Sequence, residues 1–275
     1  MRRLEQSVAV VTGAAGGIGR ALARRLAAEG ASLALADLDA DALDAPARAL
    51  AAQGCEVSTH AVDVADAARV GEFARAVEER HGRADVLINN AGVALIGDVE
   101  EVSLADIEWL MGVNFWGVVH GVKHFLPLLR RQPRSYVVNV SSIFGVVAPP
   151  GQAAYCASKF AVRGFTEALR HELEGTGVQV SCVHPGGVRT GIARAARPGA
   201  GADTSKCDRE AERFERLAVT APEAAAERIV SGMLRGEARI LVGRDARQID
   251  LIQRLLPARY WRLLRPVVER RTGKG

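Results

Sequence analysis

A short β-branched run, Ser7 to Val11, breaks into the glycine-rich stretch TGAAGGIG, Thr12 to Gly19, and then into an Ala/Leu/Arg helix from Arg20 to Glu29. Strand, glycine turn and helix in direct succession constrain the chain more than any other segment, because the helix has to fold back along the strand it follows. Gly13, Gly17 and Gly19 permit positive φ and let the backbone approach a ligand closely. The helix aims its free N–H groups and positive dipole end at the same point. A pyrophosphate suits that geometry; a glycine-rich turn without a ligand is the plain alternative. The spacing is TGxxxGxG rather than GxGxxG, and no Lys-Ser/Thr follows, which argues against a P-loop hydrolase.

The alternation continues. Ala31 to Ala36 reads as a second parallel strand ending at Asp37, 18 residues after Gly19. A carboxylate there can accept from an adenosine ribose diol and repel a 2′-phosphate. The next residue is Leu38 rather than Arg, and the glycine turn holds no basic residue, so NAD is expected over NADP. Asp37, Asp39 or Asp41 could equally cap the following helix. Asp39 to Gln53 reads as helix and Glu56 to Val62 as strand, closing at Asp63-Val64 where an adenine edge would lie. Asp66 to Arg80 is helix, and Ala84 to Ile88 is a strand that stops at Asn89-Asn90-Ala91-Gly92. Such a sequence makes an ordinary turn, but here it falls at the carboxyl end of a fourth parallel strand, where open α/β sheets bind ligands.

Ser103 to Arg130 predicts one long helix with Asn114, a modest helix former, in its middle. His120 and His124 lie four apart on it; no third ligand has matching spacing, so no metal is expected. After an apolar strand, Tyr136 to Val140, come Ser141-Ser142, a Pro149-Pro150-Gly151 turn, and Tyr155-Cys-Ala-Ser-Lys159 opening a helix to about Glu174. Four residues apart on a helix places Tyr155 and Lys159 on one face. A phenol with a reference pKa of about 10 needs a neighbouring cation to act as a base near neutrality. Lys159 can supply it, and Ser142 can hold a substrate oxygen. An ordinary amphipathic pair is the competing explanation. Lysine is scarce here: of 36 Lys+Arg only Lys123, Lys159, Lys206 and Lys274 are lysines, which points to a need for a compact ammonium at this site.

Val178 to Val183 is a further strand, left through His184-Pro185-Gly186-Gly187-Val188-Arg189-Thr190. Gly191 to Thr220 reads as a mobile lid or loop, Pro222 to Leu234 as helix and Arg239 to Val242 as a last strand. With no linker through residue 243, the chain predicts a single doubly wound parallel α/β domain, helices on both faces, and a C-terminal extension, 244–275. That extension holds eight arginines and one lysine against Asp245, Asp250 and Glu269, a net of +6 within an overall +4, so the basic excess does not point to nucleic acid. Its leucines and Tyr260, Val267 and Val268 form amphipathic faces suited to packing on the body or another subunit; a membrane surface is the sharper alternative. Cys55, Cys156, Cys182 and Cys207 show no paired spacing, Met1-Arg2-Arg3 opens no signal peptide, and no apolar run reaches a membrane span. A soluble cytoplasmic protein is expected.

In combination, TGAAGGIG, Asp63, NNAG, Asn114, Ser142, YCASK and PGGVRT resemble the short-chain dehydrogenase/reductase family over roughly residues 7 to 243. The resemblance implies a Rossmann-type sheet and an NAD(P)-dependent oxidoreductase interconverting a secondary alcohol and a ketone. It implies Tyr155 as general acid/base, Ser142 as substrate holder, Lys159 as partner of Tyr155 and of the nicotinamide ribose, and Asn114 holding a relay water. Gly13, Gly17, Ile18, Gly19, Asp37, Asp63, Val64, Asn90, Ala91, Gly92, Tyr155, Lys159, Pro185, Gly186, Val188 and Thr190 would line the cofactor. Members commonly form dimers or tetramers. Ile143, Phe144, Val146 and Val147 with Val93 to Ile96 would line an apolar substrate pocket. Rival readings are an NADPH-dependent carbonyl or 3-oxoacyl reductase on the same scaffold and a non-catalytic dinucleotide-sensing protein.

Overall fold

The structure is a computed structural model that describes residues 4–270. Residues 1–3 and 271–275, with the side chains of Thr204, Lys206, Cys207, Glu210, Arg213, Val267, Val268, Glu269 and Arg270, lie outside the described residues. The first half runs β1 (Val8–Thr12), α1 (Gly17–Ala28), β2 (Ser32–Asp37), α2 (Asp41–Ala51), β3 (Val57–Ala61), α3 (Ala67–His81), β4 (Val86–Asn89), β5 (Leu95–Ile96) and α4 (Leu104–Met111). A π-helical turn (Gly112–Trp116) leads into α5 (Gly117–Arg130), β6 (Ser135–Val140), a 3₁₀ turn (Ile143–Gly145), α6 (Ala153–Glu172) and β7 (Val178–Pro185). The chain closes with β8 (Arg197–Pro198), α7 (Thr204–Leu217), α8 (Pro222–Leu234), β9 (Arg239–Val242), α9 (Arg244–Leu255) and α10 (Tyr260–Arg270).

Seven strands form one parallel sheet in the order β3-β2-β1-β4-β6-β7-β9. Strand order reverses between β1 and β4, which opens a crevice at their carboxyl ends, the place where such sheets bind ligands. Near-continuous apolar strands are what a sheet covered on both faces requires. On one face Leu22 and Leu26 of α1 pack with Ile229 and Met233 of α8; on the other, Phe73 of α3, Phe125 of α5 and Leu169 of α6 fill the core. Asn89 and Asn139, paired in register on β4 and β6, sit inside this second layer: Asn89 Nδ2 donates to Asn139 Oδ1 at 2.8 Å, and Asn139 Nδ2 donates to Thr166 Oγ1 of α6 at 3.0 Å. A buried amide must be paired, and this chain of bonds ties α6 to the sheet.

Two expectations are corrected. The long helix of residues 103–130 is not uniform: α4 passes through the π turn before becoming α5, and Asn114 lies in that turn. Residues 191–220 are not simply a loop, since β8 pairs with β5 and Asp203 caps α7 by accepting from Ser205 N at 2.9 Å. The C-terminal helices pack on the body, one of the two placements expected of their apolar faces. Ala246 and, less completely, Ile249, Tyr260 and Leu264 pack on Ile143, Val146 and Val147. The opposite face leaves Leu251, Leu255 and Leu263 exposed. Among the described residues no helix is long and apolar enough to cross a membrane.

Candidate active site

The glycine turn is self-supporting. Thr12 Oγ1 accepts from the N–H groups of Asn90 and Ala91, both at 3.1 Å, and Asn90 Nδ2 donates to the carbonyls of Thr12 and Gly13, both at 3.0 Å. Gly13, at φ +64°, has no room for a side chain, because a Cβ would stand 2.8 Å from Ala91 Cα. At Gly19 a Cβ would meet the Gly13 carbonyl at 1.9 Å. These two glycines serve close packing of the turn. Gly16, in contrast, faces open space and precedes α1 without a side-chain cap, leaving the amides of the first helical turn free of any capping side chain. Thr190 reaches across to Gly17, where a Cβ would stand 3.1 Å from its methyl group. A cavity of about 450 Å³ opens here, lined by Gly17 and Thr190 together with Arg20, Arg24, Arg189 and Arg194 against Glu215 and Glu223.

Asp37 lies at the carboxyl end of β2 as expected and does not act as the helix cap. Its Oδ2 accepts from Ala15 N at 2.9 Å and its Oδ1 from Asp39 N at 3.3 Å, while Asp39 Oδ1 takes the amide of Ala42. Each carboxylate oxygen retains a lone pair for a further donor. Asp63 closes its own turn by accepting from Ala65 N at 2.9 Å, and Val64 gives its carbonyl to His120 Nδ1 at 3.0 Å. His124 packs against Gly71, so the two histidines serve helix packing. Free amides at a helix start, a carboxylate on the neighbouring strand and arginines lining the cavity together suit a dinucleotide.

Across the crevice, the expected constellation converges. The Ser142 side chain lies close enough to the Tyr155 hydroxyl to favour its ionised form, and the Phe144 ring meets Tyr155 edge-on, centroids 6.2 Å apart. Ser142 Oγ also accepts from Phe144 N at 3.1 Å, which starts the 3₁₀ turn. Lys159 is buried, with Nζ 5.8 Å from the Tyr155 ring centroid and donating to the Val140 carbonyl at 3.2 Å. Asn114, fully buried, accepts from Val93 N at 2.8 Å through Oδ1, and through Nδ2 donates to Val93 O at 3.0 Å and Ser158 Oγ at 3.2 Å. The π turn gives this side chain its inward position, a common use of such bulges. Gly92 lies between the two: a Cβ there would stand 3.2 Å from Asn114 Oδ1 and 3.3 Å from Lys159 Nζ.

Two expectations about this corner change. The phenol is not made acidic by the chain alone: although Tyr155 is only half-buried as a residue, desolvation pushes its pKa up to about 12, outweighing the Ser142 side chain that pulls the other way. Burial likewise draws Lys159 down to about 8. Ile143 and Val147, expected in a substrate pocket, are buried against the C-terminal helices; Phe144 and Val93 remain half-buried at the crevice. Pro185 is buried at the end of β7 and Val188 in the core, while Gly186 and Thr190 stay partly open. Sequence reasoning missed Ser141, whose hydroxyl donates to the Lys159 carbonyl at 2.8 Å, and Ser158; neither hydroxyl announces a partner so distant in sequence. It also missed His184, fully buried, with Nδ1 3.0 Å from the Ser142 carbonyl and a pKa lowered by burial to about 4. A second cavity, about 470 Å³, lies under α7 between Ile96, Pro198 and Ala211, and none of Ser142, Tyr155 and Lys159 lines it.

Residues 7–201 match the model of the family described as short chain dehydrogenase. Over 267 residues, covering 96% of each chain, the sequence is 45% identical to SadH of Mycobacterium tuberculosis, a protein named as an oxidoreductase. It is 40% identical over 190 residues to meso-2,3-butanediol dehydrogenase of Serratia marcescens, covering 69% of this chain and 74% of that one. Among solved structures, a short chain dehydrogenase/reductase from Burkholderia phymatum in complex with NAD superposes with a TM-score of 0.86 at 35% identity, over 93% of this chain and 95% of the other. A metagenomic short-chain oxidoreductase in complex with NADP is 37% identical with a TM-score of 0.64, covering 66% of this chain and 83% of that one. The match spans both the glycine turn and the Ser142 to Lys159 corner, and the chain belongs to the short-chain dehydrogenase family of oxidoreductases.

Proposed function

We propose that this oxidoreductase interconverts an apolar secondary alcohol and its ketone with NAD, using Tyr155 as the general acid and base. The observation that carries this reading is the meeting of Ser142, Tyr155, Lys159 and Asn114 across the crevice from a glycine turn with uncapped helix amides. When bound, the nicotinamide supplies the acceptor or donor of the hydride. The chain supplies the proton path. Ser142 holds the substrate oxygen beside the Tyr155 hydroxyl, and Tyr155 gives its proton to that oxygen in reduction or takes it in oxidation. Lys159 keeps a positive charge at the phenol, and Asn114 fixes the Val93 backbone and Ser158 around it. Phe144 and Val93 support an apolar substrate. The names of the relatives meso-2,3-butanediol dehydrogenase and 1-deoxy-11-beta-hydroxypentalenate dehydrogenase, the latter 40% identical over 209 residues, support a CH–OH group as the reacting centre. Self-association through the central helices is supported by Trp116 and Phe160, both well exposed there.

The raised Tyr155 pKa sets the direction of the pH dependence. With the phenol protonated at neutrality, ketone reduction finds its acid in place, whereas oxidation needs the scarce phenolate. Below about pH 8, where Lys159 retains its charge, oxidation is expected to rise up to about tenfold per pH unit while reduction stays flat. Profiles of kcat/KM in both directions check this; a reduction rate falling steeply through neutrality would contradict it.

Cofactor choice rests on Asp37. The double change Asp37→Ala with Leu38→Arg is expected to move the NADPH-to-NADH affinity ratio by about tenfold or more towards NADPH, because it removes a carboxylate that repels a 2′-phosphate and adds a cation that attracts it. The ratio is the proper readout, since Asp37 also holds Ala15 N and its loss loosens binding of both. Titration with each reduced cofactor, followed by quenching of Trp109, Trp116 and Trp261, measures it. An unchanged ratio removes Asp37 from cofactor choice, whereas tighter NADPH binding by the parent favours the NADPH-dependent reductase.

A further inference from the structure

We infer that the C-terminal helices are a working part of the nucleotide site, with Asp245 the positioning residue that holds the loop after β7 in its binding shape. The inference rests on the reading of residues 185–190 as a cofactor loop. Gly186 N donates to Val242 O at 2.9 Å, Arg189 N to Thr220 O at 2.9 Å, and Thr220 N to Gly187 O at 3.1 Å. Another amide of the turn, Gly187 N, donates to Asp245 Oδ2 at 2.7 Å, a charge-assisted bond from 58 residues away.

The backbone is shaped to admit this carboxylate. A Cβ on Gly186 would stand 2.2 Å from Asp245 Oδ2, and a Cβ on Gly243, itself at φ +98°, would stand 2.3 Å from Oδ1. Asp245 Oδ1 is buried without a partner among the described residues. A half-buried carboxylate with one oxygen buried and unpartnered is costly to keep for packing alone; its short bond to a loop amide gives it a use. The same segment reaches the other wall of the crevice. Tyr260 Oη accepts from Ala148 N at 3.1 Å, and Ala246, Ile249 and Leu264 cover the apolar side of the Ser142 to Ala148 stretch. One segment thus grips both the loop after β7 and the loop that carries Ser142.

The test compares the full-length parent with Asp245→Ala, Asp245→Asn and Gly186→Ala, reading NADH affinity and, in the cofactor-free protein, hydrogen exchange at the Gly187 amide. Asp245→Ala is expected to speed exchange at Gly187 by about tenfold or more and weaken NADH binding by about tenfold, raising KM for the cofactor with little change in kcat. Asp245→Asn keeps an acceptor oxygen and should restore most of both. Gly186→Ala, which displaces the carboxylate from the opposite side, should reproduce the loss and keeps the inference open to test if Asp245→Ala does not fold. Unchanged exchange at Gly187 in Asp245→Ala overturns the inference, as does NADH affinity equal to the parent's. A parent that binds neither NADH nor NADPH overturns the cofactor reading instead, and with it the role given to Asp245.

Discussion

Tyr155→Phe is expected to lower turnover by about 10³-fold or more while leaving NADH affinity within about twofold of the parent. The substitution removes one oxygen. The ring keeps its edge contact with Phe144, and the helix that carries it keeps its tie to the sheet through Thr166 and Asn139. What disappears is the hydroxyl beside the Ser142 side chain, the group proposed to exchange a proton with a substrate oxygen held by Ser142. General acid–base groups contribute about 10² to 10⁴ in rate, and the upper part of that range applies where water has poor access. Steady-state rates on secondary alcohols and ketones that the parent turns over, beside a cofactor titration, separate the two effects. Equal turnover with intact binding would remove Tyr155 from the chemistry. Loss of turnover with intact binding would set aside the dinucleotide-sensing alternative, in which the hydroxyl has no proton to move.

Which parts of this site were legible in the sequence follows from which are local. TGAAGGIG between a β-branched run and an apolar helix, and Pro222 at the first turn of α8, carry their geometry within a few residues, and strand and helix order followed from periodicity. Tyr155 and Lys159 share a helix, so their common face was readable; their distance from Ser142 was readable only through the resemblance. The failures are non-local. Nothing around Asn114 announces a π turn, since the turn is fixed by where its amide must reach, the Val93 backbone and Ser158. Ile143 and Val147 are apolar in any reading, but only the docking of Ala246, Tyr260 and Leu264 decides that they face the C-terminal helices. The direction of the Tyr155 shift is hidden from the sequence for a similar reason: spacing reveals the nearby cation and not the protein packed around the phenol, and burial outweighs the opposing influence of Ser142.

Lys159→Met is expected to cost about 10²-fold or more in turnover and yet to make the cofactor-free protein more stable at neutral pH. Lys159 is 3% exposed, its ammonium donates to one carbonyl, Val140 O, and burial takes its pKa from 10.5 to about 8. A folded-state pKa below the unfolded one means that the unfolded chain binds the proton more tightly in the window between them. Below about pH 8 both states are charged and the folded protein bears the full desolvation cost; as pH rises towards 10.5 that cost is progressively relieved. A shift of this size corresponds to at most about 3 kcal/mol. Methionine has a similar reach without the charge, so the variant's advantage in urea unfolding should be largest near pH 7 and shrink towards pH 10. Lys159→Arg should not rescue turnover, because a planar guanidinium does not fit where a Gly92 Cβ alone would come within 3.3 Å of Nζ. A stability difference independent of pH would mean that Lys159 is better solvated than its burial implies, and retained turnover would mean that its charge is not needed. Lower turnover with higher stability, both traceable to one ammonium, is the result expected of a cation held in the interior for its chemistry.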